Sequence, residues 1–465
     1  MKEIRLDAAV IGAGTAGLFA ASRIARKTEN FAIFEGGTEG TTCARVGCMP
    51  SKAVIALARA FCAGCAKDAL PGFPAASGPA DTGAVMERVR KIRDGLYKST
   101  AANARARFGA RIIPESVFFA EPMTLEAGGI LYRCDSIVVA AGSTPAVPPG
   151  WSLVDGRIVT TDTFFELPAL GRRVLAVGMG PVGIELSQAM ARLGLDVTMV
   201  EMTERVAAIS DPDVDRAFKE ILSRTPNFSF HLKTAVKLDG VGEEGVRVTL
   251  TGRSAGAGRK DVFDLVLLAS GRRPNVDGLR LENSGLLLDD RGFAVVDPKT
   301  LRAGGQRVFF AGDVSGIRPF YHDAADQGVL AGENAVAFPG ELGVLPEKVP
   351  LAMVFTSPNV AMVGKAFHEL PKDSFVVGGA DASKSGRAIV EGGAAGRISL
   401  YFGKSGGKLL GAQMAMPDGE HLAHYLSVMI AANFTVDDVL RLPFYHPTYE
   451  ELVKAAAEEA RRALK

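Results

Sequence analysis

The sequence predicts an α/β protein with two Rossmann-like dinucleotide-binding domains followed by a C-terminal α+β domain. The first observation is a glycine turn, Gly12-Ala-Gly-Thr-Ala-Gly17, between a predicted strand and an alanine-rich predicted helix. The second observation is a repeat of this pattern at Gly178-Met-Gly-Pro-Val-Gly183. The third is a change after residue 350, where strand-like segments come first and a helix follows, which is typical of an α+β domain.

The first glycine turn lies in the arrangement that dinucleotide-binding domains use. Residues 4–11 are predicted to form a buried parallel strand, and after the helix a second strand, Phe31–Phe34, ends in Glu35. The glycines allow a tight turn and a close approach of the backbone to a pyrophosphate at the helix N-terminus. Glu35 is placed to accept a hydrogen bond from a ribose hydroxyl. The alternative is a glycine-rich turn without a ligand. The three glycines concerned are Gly12, Gly14 and Gly17.

The second glycine turn has the same neighbours in the same order. A predicted strand, Arg173–Val177, precedes it, and the helix after it is followed by a strand, Val197–Val200, that ends in Glu201. In both units the acid lies 23 residues after the first glycine, from 12 to 35 and from 178 to 201. Equal spacing with matching flanks indicates two dinucleotide sites in one chain. The glycines of this second turn are Gly178, Gly180 and Gly183.

Three further predicted strands would end at the same edges of the two sheets. Segments 136–143 and 264–271 are apolar strands that end in Gly142 and Gly271, and each returns the chain to a parallel sheet. The segment that begins at Val308 ends in Asp313. Ligands bind outside the carboxyl ends of parallel strands, so Asp313 is placed to hold the polar tail of a cofactor.

Two cysteines separated by four residues form the candidate redox centre. Cys43 and Cys48 precede an apolar run, Ala53–Ala66, that predicts a helix, so both should lie at or near its N-terminal end. A helix N-terminus favours the thiolate over the thiol, and cysteines this close form a disulfide where local geometry permits. Lys52 lies about one helical turn after Cys48 and adds a positive charge. The alternative is that both cysteines are small core residues.

Composition excludes several other classes of function. The net charge is +1, which gives no electrostatic basis for binding nucleic acid or an anionic membrane. No apolar run reaches the roughly 18 residues of a membrane span, and the start of the sequence has no signal-peptide pattern. We therefore expect a cytoplasmic protein with no membrane or nucleic-acid partner. A zinc site would need ligands besides the two redox cysteines. Cys62 and Cys65 offer a pair, but the six histidines are scattered, so we expect no metal.

Together, the motifs of the sequence resemble those of one family along essentially the whole chain. It is the family of flavin-dependent pyridine nucleotide–disulfide oxidoreductases, the group of dihydrolipoamide dehydrogenase, glutathione reductase and mercuric reductase. The stretches that carry the resemblance are the two glycine turns, TTCARVGCMPSK at 41–52, FFAGDV at 309–314 and HPTYEE at 446–451. The resemblance implies an FAD-binding domain over 1–148 and 276–346, an NAD-binding domain over 149–275, and a dimerisation domain over 347–465.

The same resemblance implies roles for the redox residues. FAD would bind at the first glycine turn and NAD(P)H at the second, in a homodimer. Cys43 would be the interchange thiol that faces the substrate, and Cys48 would be the thiol that faces the flavin. His446 of the partner subunit would be the acid and base, with Glu451 orienting its ring.

Two further roles also follow from the resemblance alone. Lys52 would pair with Glu185 near the flavin. Asp313 would hold the ribityl chain of FAD.

Some positions depart from particular members of this family. No cysteine follows Cys134, so we expect no relay through a C-terminal cysteine pair of the kind that mercuric reductases use. Ser22 and Val329 stand where glutathione reductases have substrate-binding arginines, which disfavours glutathione. Arg45 stands between the cysteines where dihydrolipoamide dehydrogenases commonly have asparagine, and Phe444 stands where many of them have a second histidine.

The sequence therefore predicts an NAD-dependent oxidoreductase like dihydrolipoyl dehydrogenase, acting on lipoamide or a lipoyl protein. Two alternatives stay open. One is another NAD(P)H-dependent disulfide reductase with an anionic or protein-bound substrate. The other is a non-catalytic FAD-binding subunit that serves as a docking partner.

Overall fold

The computed structural model describes residues 2–64, 78–253, 256–337, 340–391 and 395–465. The chain divides into two compact units, each assembled from three stretches of sequence. The first unit comprises Met1–Pro50, Arg88–Ala146 and Arg272–Pro346, and the second comprises Ser51–Glu87, Val147–Gly271 and Glu347–Lys465. The finer division into FAD-binding, NAD-binding and dimerisation domains stays a prediction.

A parallel sheet of five strands forms the centre of the first unit. Its strand order is Val308–Phe310, Ile137–Val139, Ala8–Ile11, Phe31–Phe34 and Ile112–Ile113. Alternate side chains of Ala8–Ile11 enter two different cores, as the two-residue period of a strand requires. Ala8 and Val10 pack with residues of the helices Thr15–Ile24 and Tyr321–Ala337, whereas Ala9 and Ile11 pack with the antiparallel strands described next.

A second sheet of four strands belongs to the same unit. Its order is Lys2–Leu6, Ile130–Cys134, Thr124–Ala127 and Val117–Glu121. The prediction of one strand over 4–11 was therefore wrong, because the chain changes sheets at Asp7. The Asp7 carboxylate accepts hydrogen bonds from the side chains of Thr28 and Asn30, which hold the chain at this change of direction. These two hydrogen bonds lower the pKa of Asp7 below its usual range.

The predicted strand over 136–143 is shorter in the structure, and a two-stranded antiparallel ribbon begins at its last residue. Segment 136–143 was expected to be continuous, but strand Ile137–Val139 ends before Gly142, which has a positive φ of 71°. After this turn Ser143–Pro145 pairs antiparallel with Arg272–Pro274. Five helical segments of this unit complete the description: Thr42–Arg45, Gly109–Arg111, Leu281–Asn283, Asp313–Ser315 and Tyr321–Ala337.

The second unit contains another parallel sheet of five strands. Its strand order is Ile158–Val159, Leu265–Leu268, Arg173–Val177, Asp196–Val200 and Phe228–His231. The helix Pro181–Arg192 follows the second glycine turn, and the helix Pro212–Ser223 begins after Asp211. A three-stranded antiparallel sheet is added by Thr234–Gly242, Gly245–Gly252 and Gly256–Phe263.

The C-terminal part of the second unit is an antiparallel sheet with helices packed on one core. The strand order is Leu351–Val354, Asn359–Gly364, Leu409–Met416, Arg397–Gly403 and Phe375–Asp381. A bend at Ser357 and Pro358 separates the first two of these strands. The remaining helices are Thr161–Phe164, Phe367–Glu369, Ala382–Lys384, Gly386–Val390, Gly419–Ala431, Val436–Leu440 and Glu451–Leu464. Two long helices, Cys48–Gly64 and Thr82–Phe108, lie earlier in the sequence.

Candidate active site

The first glycine turn has the shape of a phosphate cradle. A Cβ atom on Gly12 would lie 2.4 Å from the carbonyl oxygen of Ala140, and one on Gly17 would lie 1.9 Å from the carbonyl oxygen of Gly12. Both positions therefore need glycine for close packing. Gly14 is different, because nothing lies within 4 Å of a Cβ built there, and it caps the helix Thr15–Ile24. The open space at this helix N-terminus fits the pyrophosphate of a dinucleotide.

The acid that follows this turn is held by the turn itself. Glu35 Oε2 accepts a hydrogen bond from the backbone nitrogen of Ala13 at 2.7 Å, and Oε1 accepts one from Gly37 at 3.0 Å. Two backbone donors thus fix the carboxylate beside the cradle. A carboxylate oxygen has more than one acceptor position, so Glu35 retains capacity for a ribose hydroxyl.

The second glycine turn repeats this geometry in the second unit. A Cβ on Gly178 would lie 2.5 Å from the oxygen of Ala269, and one on Gly183 would lie 2.2 Å from the oxygen of Gly178. Nothing lies within 4 Å of a Cβ on Gly180.

Glu201 is held in the same way as Glu35. Its carboxylate accepts hydrogen bonds from the backbone nitrogens of Met179 and Thr203, each at 2.9 Å. The first and second glycine turns therefore have the same local geometry, each with a carboxylate held beside it by two backbone nitrogens.

Asp313 lies at the carboxyl edge of the parallel sheet in the first unit, as predicted from the strand that precedes it. Its Oδ2 accepts a hydrogen bond from Ser143 Oγ at 2.5 Å, and Arg272 Nε donates to the same Ser143 Oγ at 2.7 Å. Sequence reasoning missed both Ser143 and Arg272 as functional residues. The signal was present, because each follows a glycine, Gly142 and Gly271, at which a strand was expected to end.

The two candidate redox cysteines lie on different helices. Cys48 is the first residue of the helix Cys48–Gly64 and is exposed, whereas Cys43 is half-buried on the one-turn helix Thr42–Arg45. Cys43 therefore precedes the long helix on a short helix of its own, which the sequence pattern did not predict. Thr41 Oγ1 caps the short helix by accepting a hydrogen bond from the backbone nitrogen of Ala44 at 3.2 Å.

Gly47 lies between the short helix and Cys48, at a close approach of the backbone to Thr42 and Cys43. A Cβ at this position would lie 2.9 Å from the carbonyl oxygen of Thr42 and 3.2 Å from Cys43 Cα. The backbone just before Cys48 therefore folds back against Cys43, and this close approach requires glycine.

Lys52 and Glu185 form an ion pair in the second unit, as the resemblance implied. Lys52 Nζ lies 2.8 Å from Glu185 Oε2, and the Glu185 side chain is only 6% exposed. Glu185 Oε1 accepts a hydrogen bond from the backbone nitrogen of Phe355 at 2.8 Å. Lys52 Nζ also lies 4.4 Å from the centre of the Phe355 ring, which is cation–π geometry. Phe355 thus contacts both members of the ion pair, Glu185 through its backbone nitrogen and Lys52 through its ring. This role of Phe355 was not predicted from the sequence.

His446 and Glu451 form an acid–base pair at the start of the last helix. His446 Nδ1 lies 3.1 and 3.2 Å from the two carboxylate oxygens of Glu451. Since an ionised carboxylate only accepts hydrogen bonds, Nδ1 carries the proton, and in the neutral ring Nε2 is left to accept one. The backbone nitrogen of Thr448, followed by His446, lowers the pKa of Glu451. Glu451 therefore stays ionised through neutral pH and keeps the ring in one tautomer.

Two of the remaining cysteines, Cys62 and Cys134, lie within the described residues. Burial raises the pKa of Cys134 to about 12, so its thiol is not reactive at neutral pH. Cys62 is half-buried on the helix Cys48–Gly64, and Cys65 lies outside the described residues. Within the described ranges, no group of three or more potential metal ligands is found. In the same ranges, the structure contains no helix with the length and apolar character of a membrane span.

Comparison with known proteins identifies the family. The family model described as pyridine nucleotide-disulphide oxidoreductase matches residues 6–328, and its dimerisation-domain model matches residues 350–457. A mercuric reductase from Streptomyces lividans is 32% identical over 97% of this chain and 95% of its own length. A dihydrolipoyl dehydrogenase from Vibrio cholerae is 30% identical over 98% of this chain and 96% of its own length.

Solved structures share the fold at lower sequence identity. The HOCl-induced flavoprotein disulfide reductase RclA from Escherichia coli superposes with a TM-score of 0.82 at 21% identity, covering 99% of this chain and 100% of that chain. LpdA from Mycobacterium tuberculosis superposes with a TM-score of 0.81 at 22% identity, covering 99% of both chains.

The chain belongs to the pyridine nucleotide-disulphide oxidoreductase family. It is accordingly an oxidoreductase of the disulfide type that uses FAD and NAD(P), and its dimerisation domain supports a homodimer. The predicted family, fold class and cofactors are confirmed.

Proposed function

We propose that this protein moves two electrons between a dihydrolipoyl or lipoyl group and NAD(H), using the Cys43–Cys48 pair and FAD. The observation that carries the proposal is the His446–Glu451 pair, with Nδ1 bonded to both carboxylate oxygens. Thiol–disulfide exchange needs a thiolate and a base near neutral pH, and an oriented histidine is such a base. An FAD-binding docking subunit would have no use for this pair together with two redox cysteines.

The glycine cradles are the proposed cofactor sites. Gly12, Gly14 and Gly17, with Glu35 and Asp313, would hold FAD, and Gly142 borders the same edge of the sheet. Gly178, Gly180 and Gly183, with Glu201 and Gly271, would hold NAD(H). The open space over each middle glycine and the carboxylate fixed beside each turn support this assignment.

The proposed thiol exchange balances in two steps. A substrate thiolate attacks the Cys43 sulfur of the Cys43–Cys48 disulfide, so that the S–S bond breaks and Cys48 leaves as a thiolate. His446 of the partner subunit then takes the proton of the second substrate thiol through Nε2. That sulfur attacks the substrate sulfur of the mixed disulfide, and Cys43 leaves with the bonding electron pair and receives the proton from His446.

The substrate departs as a disulfide, and its two electrons are now held by the two cysteines. FAD, when bound, supplies the two-electron chemistry that links the cysteine pair to NAD⁺. Lys52, paired with Glu185, is the proposed positive charge beside the cofactor. The reverse sequence of steps reduces a disulfide at the expense of NADH.

The named relatives favour the disulfide class but differ in their substrates. One is called a mercuric reductase and another a dihydrolipoyl dehydrogenase, at 32% and 30% identity. The second candidate is therefore a disulfide reductase whose substrate is anionic or protein-bound. Arg45 is the observation that favours it, because this cation stands between the two redox cysteines in the sequence and a guanidinium suits an anionic group.

A steady-state panel tests the proposal directly. Lipoamide, free lipoate, glutathione disulfide and Hg²⁺ should each be assayed with NADH and with NADPH. We expect the highest kcat/KM for lipoamide with NADH. A higher kcat/KM for glutathione disulfide or Hg²⁺ would show that a lipoyl group is not the preferred substrate. No turnover with any of the four compounds would favour the non-catalytic docking subunit.

A further inference from the structure

Three polar groups from distant parts of the first unit form a chain that ends at Asp313. Arg272 donates twice to Ser143, from Nε to the hydroxyl oxygen at 2.7 Å and from Nη2 to the carbonyl oxygen at 2.6 Å. The Ser143 hydroxyl is 2.5 Å from Asp313 Oδ2. Arg272 Nε is itself 3.9 Å from the same carboxylate oxygen.

The chemistry of the three groups fixes the direction of every proton in this chain. A guanidinium only donates hydrogen bonds and an ionised carboxylate only accepts them, whereas a hydroxyl has one proton and two lone pairs. Arg272 Nε–H occupies a lone pair of Ser143 Oγ, so the hydroxyl proton is left to point at Asp313. A charge-assisted hydrogen bond of this kind is stronger than one between neutral groups.

The backbone holds both ends of the chain in place. Arg272 lies in the ribbon in which Arg272–Pro274 pairs with Ser143–Pro145. Asn275 extends that attachment, since its backbone nitrogen donates to the carbonyl oxygen of Gly142 at 3.0 Å and its side chain donates to that of Ala141 at 2.9 Å.

The turn that carries Asp313 is fixed separately, from the helix Tyr321–Ala337. The buried Gln327 accepts hydrogen bonds from the backbone nitrogen of Gly312 and from the Ser315 hydroxyl, each at 2.9 Å. The side-chain contact of Ser143 with Asp313 therefore joins two backbone segments that are each held by hydrogen bonds of their own.

We propose that Arg272 is a positioning residue for FAD that acts through Ser143 on the carboxylate of Asp313. The chain occupies Oδ2 and holds the carboxylate in one rotamer, which leaves Oδ1 to accept a hydrogen bond from a cofactor hydroxyl. The inference rests on the proposed role of Asp313 in holding FAD. It does not depend on which disulfide the enzyme reduces.

The central experiment compares two neighbouring arginines. Arg272→Met removes both donors to Ser143 and should weaken FAD binding to the apoprotein on the order of tenfold, measured by flavin fluorescence titration. Arg273→Met is the matched control, because Arg273 is the next residue of the same strand and its guanidinium pairs with Asp277 at the surface. This control should bind FAD as the wild type does. Equal FAD affinity in the two variants would overturn the proposal.

Variants of Ser143 separate the relay from a direct contact between Arg272 and the cofactor. Ser143→Ala should weaken FAD binding about as much as Arg272→Met, and Ser143→Thr should restore binding because it keeps the hydroxyl. The double variant Arg272→Met/Asp313→Asn should bind no worse than Asp313→Asn alone. Normal binding by Ser143→Ala together with weak binding by Arg272→Met would refute the relay.

Thermal unfolding of the apoprotein distinguishes a positioning role of Arg272 from a purely structural one. The thermal midpoint of the apoprotein should be the same for Arg272→Met and Arg273→Met, while only the stabilisation by added FAD differs. A lower midpoint for the Arg272→Met apoprotein would assign the residue to the stability of the fold. Since FAD affinity is measured without a disulfide substrate, failure of the lipoyl proposal would leave this result intact.

Discussion

Replacing Lys52 with methionine removes the charged partner of a buried carboxylate. Glu185 is 6% exposed and accepts two hydrogen bonds, from Lys52 Nζ at 2.8 Å and from the Phe355 backbone at 2.8 Å. Methionine keeps an unbranched apolar side chain of similar length and loses the ammonium group that lies over the Phe355 ring. The substitution therefore tests the charge with little change in packing.

The expected loss of stability follows from the burial of the two partners. Removing one member of a buried ion pair costs about 3–5 kcal/mol, because the other charge is left uncompensated. The Lys52 side chain is 34% exposed, so water compensates part of the loss. We expect the free energy of unfolding to fall by about 2–3 kcal/mol. If Lys52 stabilises negative charge that develops on the reduced cofactor, flavin reduction by NADH should also slow by about 10²-fold.

Two measurements and one control test this prediction. Urea denaturation of Lys52→Met, Glu185→Gln and the double variant gives the coupling energy between the two residues. Anaerobic stopped-flow absorbance gives the rate of flavin reduction, with FAD content verified beforehand. Lys233→Met is the control, because Lys233 pairs with Glu204 and the two side chains are 47% and 67% exposed, so its loss should cost under about 1 kcal/mol. A Lys52→Met protein as stable as this control, with unchanged flavin reduction, would refute the reasoning.

Four further predictions concern the coenzyme, the cysteines, the dimer and the substrate. NADH should give a higher kcat/KM than NADPH, because a 2′-phosphate would meet the Glu201 carboxylate; the opposite order would contradict this assignment. Cys48→Ser should retain FAD and lose the long-wavelength charge-transfer band on NADH titration, whereas Cys43→Ser should keep the band and lose turnover; near-normal disulfide reduction by either would remove the proposed exchange. Mixing Cys43→Ser subunits with His446→Gln subunits should restore one good site per mixed dimer, and no recovery in verified mixed dimers would place the histidine in its own subunit. Arg45→Asn should raise KM for an anionic or protein-bound disulfide while uncharged lipoamide is unaffected, and the wild-type reaction with the anionic substrate should weaken as salt rises; unchanged kinetics on both substrates would exclude a role for Arg45 in selecting the substrate.

Local spacing was sufficient to predict the two cradles. Each consists of a strand, a turn and a helix that are consecutive in sequence, so the positions of the glycines determine the local path of the backbone. The same spacing did not show that Cys43 lies on a short helix of its own. After this helix Gly47 packs against Thr42 and Cys43, and this close contact is visible only in the folded chain. The sequence shows that residue 47 is glycine, but it does not show which residues Gly47 contacts in the folded chain.

The three acids at the sheet edges, Glu35, Glu201 and Asp313, differ in how far their hydrogen-bond partners could be predicted from the sequence. Glu35 and Glu201 are each oriented by backbone nitrogens of their own turn and of the residue two positions later, so a motif of fixed spacing contains everything needed to find them. Asp313 is oriented by side chains instead, through Ser143 and Arg272, which are 170 and 41 positions away in sequence. Sheet order and the pairing of two short strands bring these residues together, and neither follows from local pattern. The strand that ends near Asp313 therefore indicated the position of the acid but not what holds it, which is why the link to Arg272 emerges only from the structure.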